Sequence, residues 1–264
     1  IYLPPQPIHF FDNGRFAPFV YGLKSEMDPV TYRRTFIPDE EEKYPVRFFA
    51  KGEPYKLFGL FETDIHLFQR EGGAINLLGT DRQGRDMLTR ILIGSQISLT
   101  IGLVGVFLSL TFGTILGVVS GYFGGAVDDF IQRLIELIRS FPSIPLWMAL
   151  SAAVPVTWPP MWTYFAVTVI LSLIGWTWLA RQLRGKVLSL RTEDYITAAK
   201  LMGASNSRII FKHLIPACIG HIIVVSTLAM PSMILAETAL SFLGLGLQPP
   251  ITSWGVLLQE GQDI

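Results

Sequence analysis

Long stretches of this 264-residue chain carry no Asp, Glu, Lys or Arg, and they restrict its possible folds more than any other feature. The charge-free runs cover residues 91–127, 140–180, 214–236 and 238–259, and only Glu237 separates the last two. About 20 apolar residues in a helix cross the roughly 30 Å hydrocarbon layer of a membrane. The runs therefore predict an all-α polytopic membrane protein.

Four membrane helices are predicted from these runs and from the residues that interrupt them. The prolines and tryptophans in Val154–Trp162 divide the second run, because proline breaks a helix and tryptophan favours the membrane interface. The helices belong to a predicted helical core at residues 91–264. They span about residues 98–120, 139–156, 162–180 and 216–240.

The basic residues predict how these helices are oriented. Residues 181–213 contain seven Lys and Arg against two acids, whereas residues 241–264 contain no Lys or Arg. Because short loops rich in Lys and Arg stay in the cytoplasm, loop 181–215 is predicted to be cytoplasmic and the C-terminal end to lie outside. Counting the crossings backwards places residues 1–90 outside as well.

The predicted extracytoplasmic segment 1–90 is polar and rich in aromatic residues. Its prolines, glycines and charged residues oppose long helices. The sequences of residues 44–50 and 55–62 predict two short β-strands around a turn at Lys51–Pro54. Export of such a segment requires a preceding membrane helix, so the sequence is expected to be a fragment that lacks a first and a last helix.

Several classes of protein are disfavoured by the composition. The single Cys218 cannot close an intrachain disulfide, and the four histidines are too far apart for a metal site. Equal numbers of basic and acidic residues, 21 each, predict no nucleic-acid binding. An intramembrane protease would need a Ser/His or Asp pair inside the spans, where His221 is the only histidine. A secondary transporter or channel, for which charges near the midplane are typical, remains an alternative.

The segment Glu193–Pro216, EDYITAAKLMGASNSRIIFKHLIP, is the most informative part of the sequence. It predicts a short helix, a corner at Gly203 and a second, amphipathic helix along the cytoplasmic face, before a membrane span begins at Pro216. A protruding loop of this kind suits a groove in a partner protein.

This segment resembles the coupling-loop signature of ABC importer permeases: Glu-Ala-Ala, three residues, Gly, nine residues, Ile-x-Leu-Pro. Two further stretches, Leu77–Leu103 and Glu237–Gly255, are similar to the start of the second helix and the end of the fifth helix in permeases of the dipeptide, oligopeptide and nickel class. The signature is matched in register by Ala198, Ala199, Gly203 and Pro216, while Thr197, His213 and Ile215 differ from it.

The resemblance implies the transmembrane-domain helix bundle of an ABC importer in a bacterial inner membrane. It implies three kinds of partner: a homologous second permease subunit, two cytoplasmic ABC ATPases and an extracytoplasmic solute-binding protein. ATP and Mg²⁺ would bind to the ATPases, so this chain is expected to be no enzyme and to hold no cofactor. Its sequence contains no Walker-type phosphate loop. Peptides are the expected substrate, with nickel complexes or other solutes as alternatives.

The resemblance also implies which residues couple to the ATPases. A small or turning residue at several of these positions allows the loop to approach a partner closely. The residues assigned to coupling are Asp194, Tyr195, Ala198, Ala199, Gly203, Ala204, Arg208, His213 and Pro216.

Three further groups are singled out by the residues themselves. Glu237 is the one acid in an apolar run, which favours equally a structural hydrogen bond and a role at the gate or pathway. Four charged residues before the second helix predict an ion-paired, capped helix start, with contact to the binding protein as the alternative. Glycines at four-residue spacing predict close helix packing. The charged residues are Asp81, Arg82, Arg85 and Asp86, and the glycines are Gly113, Gly117 and Gly121.

Overall fold

The computed structural model describes residues 2–27, 29, 32, 34–57, 61–70, 75–155 and 157–262. The chain divides into two compact units, Ile1–Ile93 and Gly94–Ile264. The division falls close to the predicted boundary at residue 90. The first unit is built on a β-sheet and the second on helices.

The first unit contains a four-stranded antiparallel sheet in the order β1-β2-β3-β4. A tight turn at Asn13 and Gly14, both at positive φ, joins the first two strands, as is typical of an Asn-Gly hairpin. Val20, Val46 and Ile75 form its small buried core. The strands are β1 (His9–Asp12), β2 (Arg15–Met27), β3 (Arg34–Leu57) and β4 (Phe61–Arg70).

The predicted turn at Lys51–Pro54 is wrong. These residues lie inside β3, where the pairing with β4 shifts register between Lys51 and Tyr55. The glycine and proline at this point therefore produce an irregularity in a continuing strand instead of ending it. The strands β3 and β4, with 24 and 10 residues, are also longer than the two short strands predicted.

Helices make up most of the remaining described chain. Their apolar composition agrees with the all-α membrane core predicted from the charge-free runs. They are α1 (Met87–Phe123), α2 (Gly125–Arg139), α3 (Ser143–Ala152), α4 (Pro160–Leu190), α5 (Asp194–Leu201), α6 (Asn206–Ile209), α7 (Ile215–Phe242) and α8 (Trp254–Gly261).

Among the described residues, three helices are long and apolar enough to cross a membrane: Met87–Phe123, Pro160–Leu190 and Asn206–Phe242. The last of them joins α6, a π-helical turn and α7. The first begins well before the predicted residue 98, because Asp86 caps it. The Asp86 Oδ2 accepts a hydrogen bond from the backbone N–H of Thr89 at 2.7 Å.

Two buried clusters mark opposite ends of the helical bundle. Residue numbers rise from the first cluster to the second along α1 and α4, and fall along α7. The helices α1 and α4 therefore run in the same direction, and α7 runs against them. The first cluster contains Ile101 of α1, Val167 of α4 and Leu240 of α7, and the second contains Val118, Val187 and Cys218 of the same helices.

The predicted membrane helix at residues 139–156 is wrong. Helix α2 ends at Arg139, and α3 has ten residues, a rise of about 15 Å or half of the hydrocarbon layer. Prolines at positions 142 and 155 bound α3, because a proline inside a helix removes a hydrogen bond and clashes with the preceding turn. The predicted end at Val156 lies outside the described residues.

The chain instead returns along the bundle through α2 and α3 together. Ile131 and Ile135 of α2 pack with Trp176 and Ala180 in the middle of α4. Trp147 of α3 packs against the first cluster. Because α2 and α3 lead the chain back, α1 and α4 start at the same end of the bundle. The prediction of four membrane helices required the same direction for these two helices.

Helices α1 and α4 touch backbone to backbone along a line of glycines. At each glycine a Cβ would lie within 3.0 Å of a carbonyl oxygen of α4, which confirms the predicted packing role. From such a Cβ, the distances are 2.9 Å at Gly113 to Trp176 O, 2.5 Å at Gly117 to Ala180 O and 2.8 Å at Gly121 to Arg184 O.

Candidate functional site

The predicted coupling loop begins later than residue 181, because α4 continues to Leu190. Helix α5 follows and ends in a turn at Gly203, whose φ is +76°. The backbone N–H of Ala204 donates to Ala199 O at 3.0 Å, and that of Gly203 donates to Lys200 O at 3.0 Å. This is a glycine-terminated helix end that closes the last turn of α5.

One face of the loop is anchored in the second cluster of the bundle. Ile196 and Ile209 are fully buried, and Ala199 is 4% exposed. They pack with Leu183 and Val187 at the end of α4. The loop is therefore held to the ends of the long helices by apolar contacts, so that its shape is set by the bundle.

The opposite face of the loop is exposed and ends in an apolar tip. Leu201 is 84% exposed and Met202 82% exposed, immediately before Gly203. Sequence reasoning did not assign these two residues, although two apolar residues directly before a glycine corner in a polar loop were a signal for them. A contiguous exposed apolar pair on a fixed corner is suited to enter a partner's groove.

The residues predicted for coupling divide between the two faces. Ala199 anchors the loop, Ala204 and His213 are half-buried, and the others lie at the surface. The rings of Tyr195 and His213 lie 6.4 Å apart and connect α5 to the turn that precedes α7. The exposed members are Asp194, Tyr195, Ala198, Gly203, Arg208 and Pro216.

The second helix of the loop is not a separate amphipathic helix along the membrane face, as predicted. Ser205 caps α6, and α6 continues through a π-helical turn, Ile210–Leu214, into α7. The N–H of Ile215 donates to Ile210 O, five residues back. Pro216 has no N–H to donate and would clash with the carbonyl four residues before it, and the wider π turn makes room for its ring.

Glu237 lies fully buried at the other end of the bundle, where α1, α7 and the start of α8 meet. Its Oε1 accepts from the hydroxyls of Ser241 at 2.8 Å and Ser253 at 2.9 Å. Its Oε2 accepts from the hydroxyl of Ser98 at 3.2 Å. The carboxylate thus joins three elements, which supports the structural alternative; a role at the gate or pathway stays a prediction.

The backbone orients these three serines towards Glu237. Each serine oxygen accepts a backbone N–H, so the hydroxyl hydrogen is free to point at the carboxylate. The geometry is that of an acceptor-only group with three donors around it. The donating N–H groups are those of Trp254 to Ser98 at 3.1 Å, Leu247 to Ser241 at 2.9 Å and Val256 to Ser253 at 3.3 Å.

The charged residues before α1 form a compact ion-paired turn centred on Asp81. Its Oδ2 accepts from Arg85 Nε at 2.6 Å and from Arg90 Nη1 at 2.8 Å. Its Oδ1 accepts from the backbone N–H groups of Gln83 and Arg85. Burial opposes ionisation of Asp81, but these hydrogen bonds outweigh it and hold its pKa below the ordinary value. Arg82 Nε donates to the hydroxyl of Tyr2 at 2.7 Å. Contact with a binding protein stays a prediction.

A second, partly buried ion pair was missed by sequence reasoning. Asp128 of α2 accepts two hydrogen bonds from Arg184 of α4, each 2.5 Å long. Asp128 also accepts from the hydroxyl of Ser120 in α1. The guanidinium of Arg184 lowers the pKa of Asp128, against the effect of burial. The sign of this ion pair is the low exposure of Asp128 in the amphipathic helix α2. A sequence does not show exposure, so the pair could not be predicted.

One cavity of about 330 Å³ lies between the α3–α4 connection and the α7–α8 connection. Its lining contains no charged side chain and includes Ser151, Thr163 and Gln248. In the part of the chain that the structure describes, no three His, Cys, Asp or Glu side chains come together to hold a metal ion.

Comparison with known proteins identifies the kind of molecule that carries this loop and bundle. The family described as binding-protein-dependent transport system inner membrane component matches residues 113–262, which include α2–α8 and the whole coupling loop. The chain belongs to this family.

Several relatives are named as peptide permeases. The oligopeptide transport system permease protein OppC of Haemophilus influenzae is 41% identical over 186 residues, 70% of this chain and 58% of the relative. OppC of Escherichia coli strain K12 is 40% identical over 70% of this chain and 59% of the relative. The dipeptide transport system permease protein DppC of Bacillus subtilis is 40% identical over 69% and 55%. The chain thus spans less than two thirds of the length of these relatives.

Proposed function

We propose that this chain is the membrane-spanning part of a permease subunit in an ATP-driven, binding-protein-dependent importer of peptides. Membership of the transport family and the names of the relatives support this function. The three membrane-long helices support a multi-pass protein, and the family's description supports a position in the bacterial inner membrane. In this arrangement residues 1–90 lie outside the membrane, where a solute-binding protein delivers the substrate.

The observation that carries the proposal is the coupling loop. It combines a fixed corner at Gly203, an anchored face through Ile196 and Ala199, and the exposed apolar tip Leu201 and Met202. ATP and Mg²⁺ bind to two cytoplasmic ATPases, and this chain performs no catalysis itself. The loop passes the movement of the ATPases to the helices that line the path, together with those of a homologous second permease subunit.

Affinity purification of the tagged full-length protein from native membranes tests these partners. Mass spectrometry should identify a second permease and one or two ATPases with the wild-type protein. Leu201→Glu should lose the ATPases and keep the second permease, because it places a charge in the apolar tip. Thr192→Glu adds the same charge on an exposed side chain outside the tip and should keep both partners.

Two results would contradict the proposal. One is a chain that purifies alone while the ATPases are detected elsewhere in the same membranes, which would favour a channel or secondary transporter. The other is equal recovery of the ATPases with Leu201→Glu and the wild type. A separate uptake assay with the same membranes identifies the substrate class. Labelled dialanine, a labelled hexapeptide and a labelled nickel complex are offered together, and the compound taken up in preference to the others is the substrate.

A further inference from the structure

The partly buried pair Asp128–Arg184 ties three helices together close to the coupling loop. The carboxylate and guanidinium make two parallel hydrogen bonds of 2.5 Å, and their side chains are 10% and 31% exposed. Ser120 of α1 donates a third hydrogen bond to Asp128, and Gln132 Nε2 donates to Ser120 Oγ at 3.1 Å. The pair therefore fixes the start of α2 against the ends of both α1 and α4.

The same region is connected directly to the loop. Val187, one turn beyond Arg184, packs with Ile196 and Ala199 in the second cluster. Arg191, where α4 ends and the loop begins, donates from Nη1 to Gly121 O at 3.2 Å. Less than two turns of helix thus separate the ion pair from the point at which the chain leaves α4.

The chemistry of the pair is better suited to fixing the relative orientation of the helices than to holding them together. Apolar side chains of similar volume hold helices together at least as well as a buried ion pair, because ions lose their hydration on burial. A two-pronged guanidinium–carboxylate contact, however, fixes direction as well as distance. Rotation of α4 about its axis would break both hydrogen bonds at once, whereas an apolar contact would slip.

We propose that Asp128 and Arg184 are positioning residues for energy coupling: they make the coupling loop, the end of α4 and the start of α2 move as one body. This inference rests on the proposed function. When an ATPase displaces Leu201 and Met202, α4 then cannot rotate independently of its neighbours. The displacement therefore reaches α1 and α2. Loss of the pair separates ATP hydrolysis from transport while the partners remain bound.

The test uses the full-length importer reconstituted in proteoliposomes with its ATPases and binding protein. The measured quantity is labelled peptide imported per ATP hydrolysed. Arg184→Met and Asp128→Asn should lower this ratio about tenfold, with the ATPases still bound. Arg184→Lys keeps the charge but loses the two-pronged geometry, so it should also lower the ratio. Of the three variants, it should lose the least stability. Arg133→Met removes a highly exposed arginine of the same helix α2 and should leave the ratio unchanged.

A second measurement does not depend on the substrate. Spin labels at Ser207 of α6, an exposed residue outside the apolar tip, and at the exposed Phe130 of α2 report the distance between the coupling loop and α2. We expect one narrow distribution with and without ATP in the wild type, and a broad distribution in Arg184→Lys. Absence of ATP-dependent peptide uptake in the wild type would count against the proposed function. The spin-label distances would still decide whether Asp128 and Arg184 hold the coupling loop and α2 together.

Three results would overturn the positioning role. The first is an unchanged transport ratio in Arg184→Met and Asp128→Asn. The second is a parallel loss of ATPase binding and transport in all variants, which would assign the pair to folding alone. The third is an equally narrow distance distribution in the wild type and Arg184→Lys.

Discussion

Two buried acids in the helical unit are satisfied in different ways. Asp128 faces the guanidinium of Arg184, whereas Glu237 is surrounded by the hydroxyls of three serines. A buried acidic side chain is costly unless it is paired or fully hydrogen-bonded, so both side chains depend on their partners. At Glu237 the partners come from three separate elements, and the network therefore ties α8 to α1 and α7.

Replacement of Glu237 by Gln tests this structural role. The amide nitrogen of Gln would face serine hydroxyls that already point inwards as donors, so we expect a loss of about 1–3 kcal/mol in the free energy of unfolding. Thermal unfolding of the purified protein in lipid nanodiscs measures it. Glu136→Gln, at an exposed glutamate, is the matched control and should change stability little. Loss of uptake at unchanged stability would instead assign Glu237 to the gate.

The turn around Asp81 should respond to acid. Because the pKa of Asp81 is below its ordinary value of 3.8 in the folded chain, its stabilising contribution is present above that value and is lost as the pH falls through the folded pKa. Hydrogen exchange, corrected for its intrinsic pH dependence, should show protected amides at Gln83 and Arg85 at pH 7 and protection that weakens as the pH falls below 3.8. Asp81→Asn should remove the pH dependence. Equal protection at both pH values in the wild type would contradict the ionic account.

The secondary elements show what charge patterning can and cannot predict. The charge-free runs predicted the positions of α1, α4 and α7, because length and apolar composition decide whether a helix can cross a membrane. They failed at residues 139–156, where prolines limit α3 and the charged helix α2 completes the return. The β3–β4 turn was also misplaced, since a glycine and a proline within a long strand resemble a hairpin in sequence.

Contacts between distant elements were the least predictable part of the site. Asp128 and Arg184 are 56 residues apart, and Ser98 is 139 residues from Glu237. Neither spacing follows a helix or strand period, so only packing brings these partners together. Gly203 and the glycine line of α1 were predictable, because a corner and a four-residue repeat are local patterns.

The glycine line makes a quantitative prediction for the α1–α4 contact. A Cβ at position 117 would lie 2.5 Å from Ala180 O, a backbone atom that cannot turn away. Gly117→Ala should therefore destabilise the bundle by about 1–3 kcal/mol, as over-packing does. Gly185 in α4 has no atom within 4 Å of such a Cβ, so Gly185→Ala should be neutral or stabilising. Equal unfolding temperatures for the two variants would contradict the backbone contact.

At the scale of the whole molecule, one end of the helical bundle carries the Glu237 network and the other end carries the predicted coupling loop. The Glu237 network holds the first cluster, where α8 is packed, and the coupling loop rests on the second. Helices α1, α4 and α7 connect the two ends. This arrangement agrees with the proposed function, in which movements imposed on the coupling loop reach the opposite side of the membrane.

The most direct test of this account is ATP-driven uptake of labelled peptide into proteoliposomes that contain the full-length protein with its ATPases and binding protein. A side chain at position 203 meets no atom within 4 Å, and both Asp and Asn tolerate the positive φ, so the two variants differ mainly in charge. We predict that wild-type uptake requires ATP, that Gly203→Asp abolishes it while the protein remains inserted, and that Gly203→Asn retains most of it. Uptake without ATP, or unimpaired uptake by Gly203→Asp, would contradict the account.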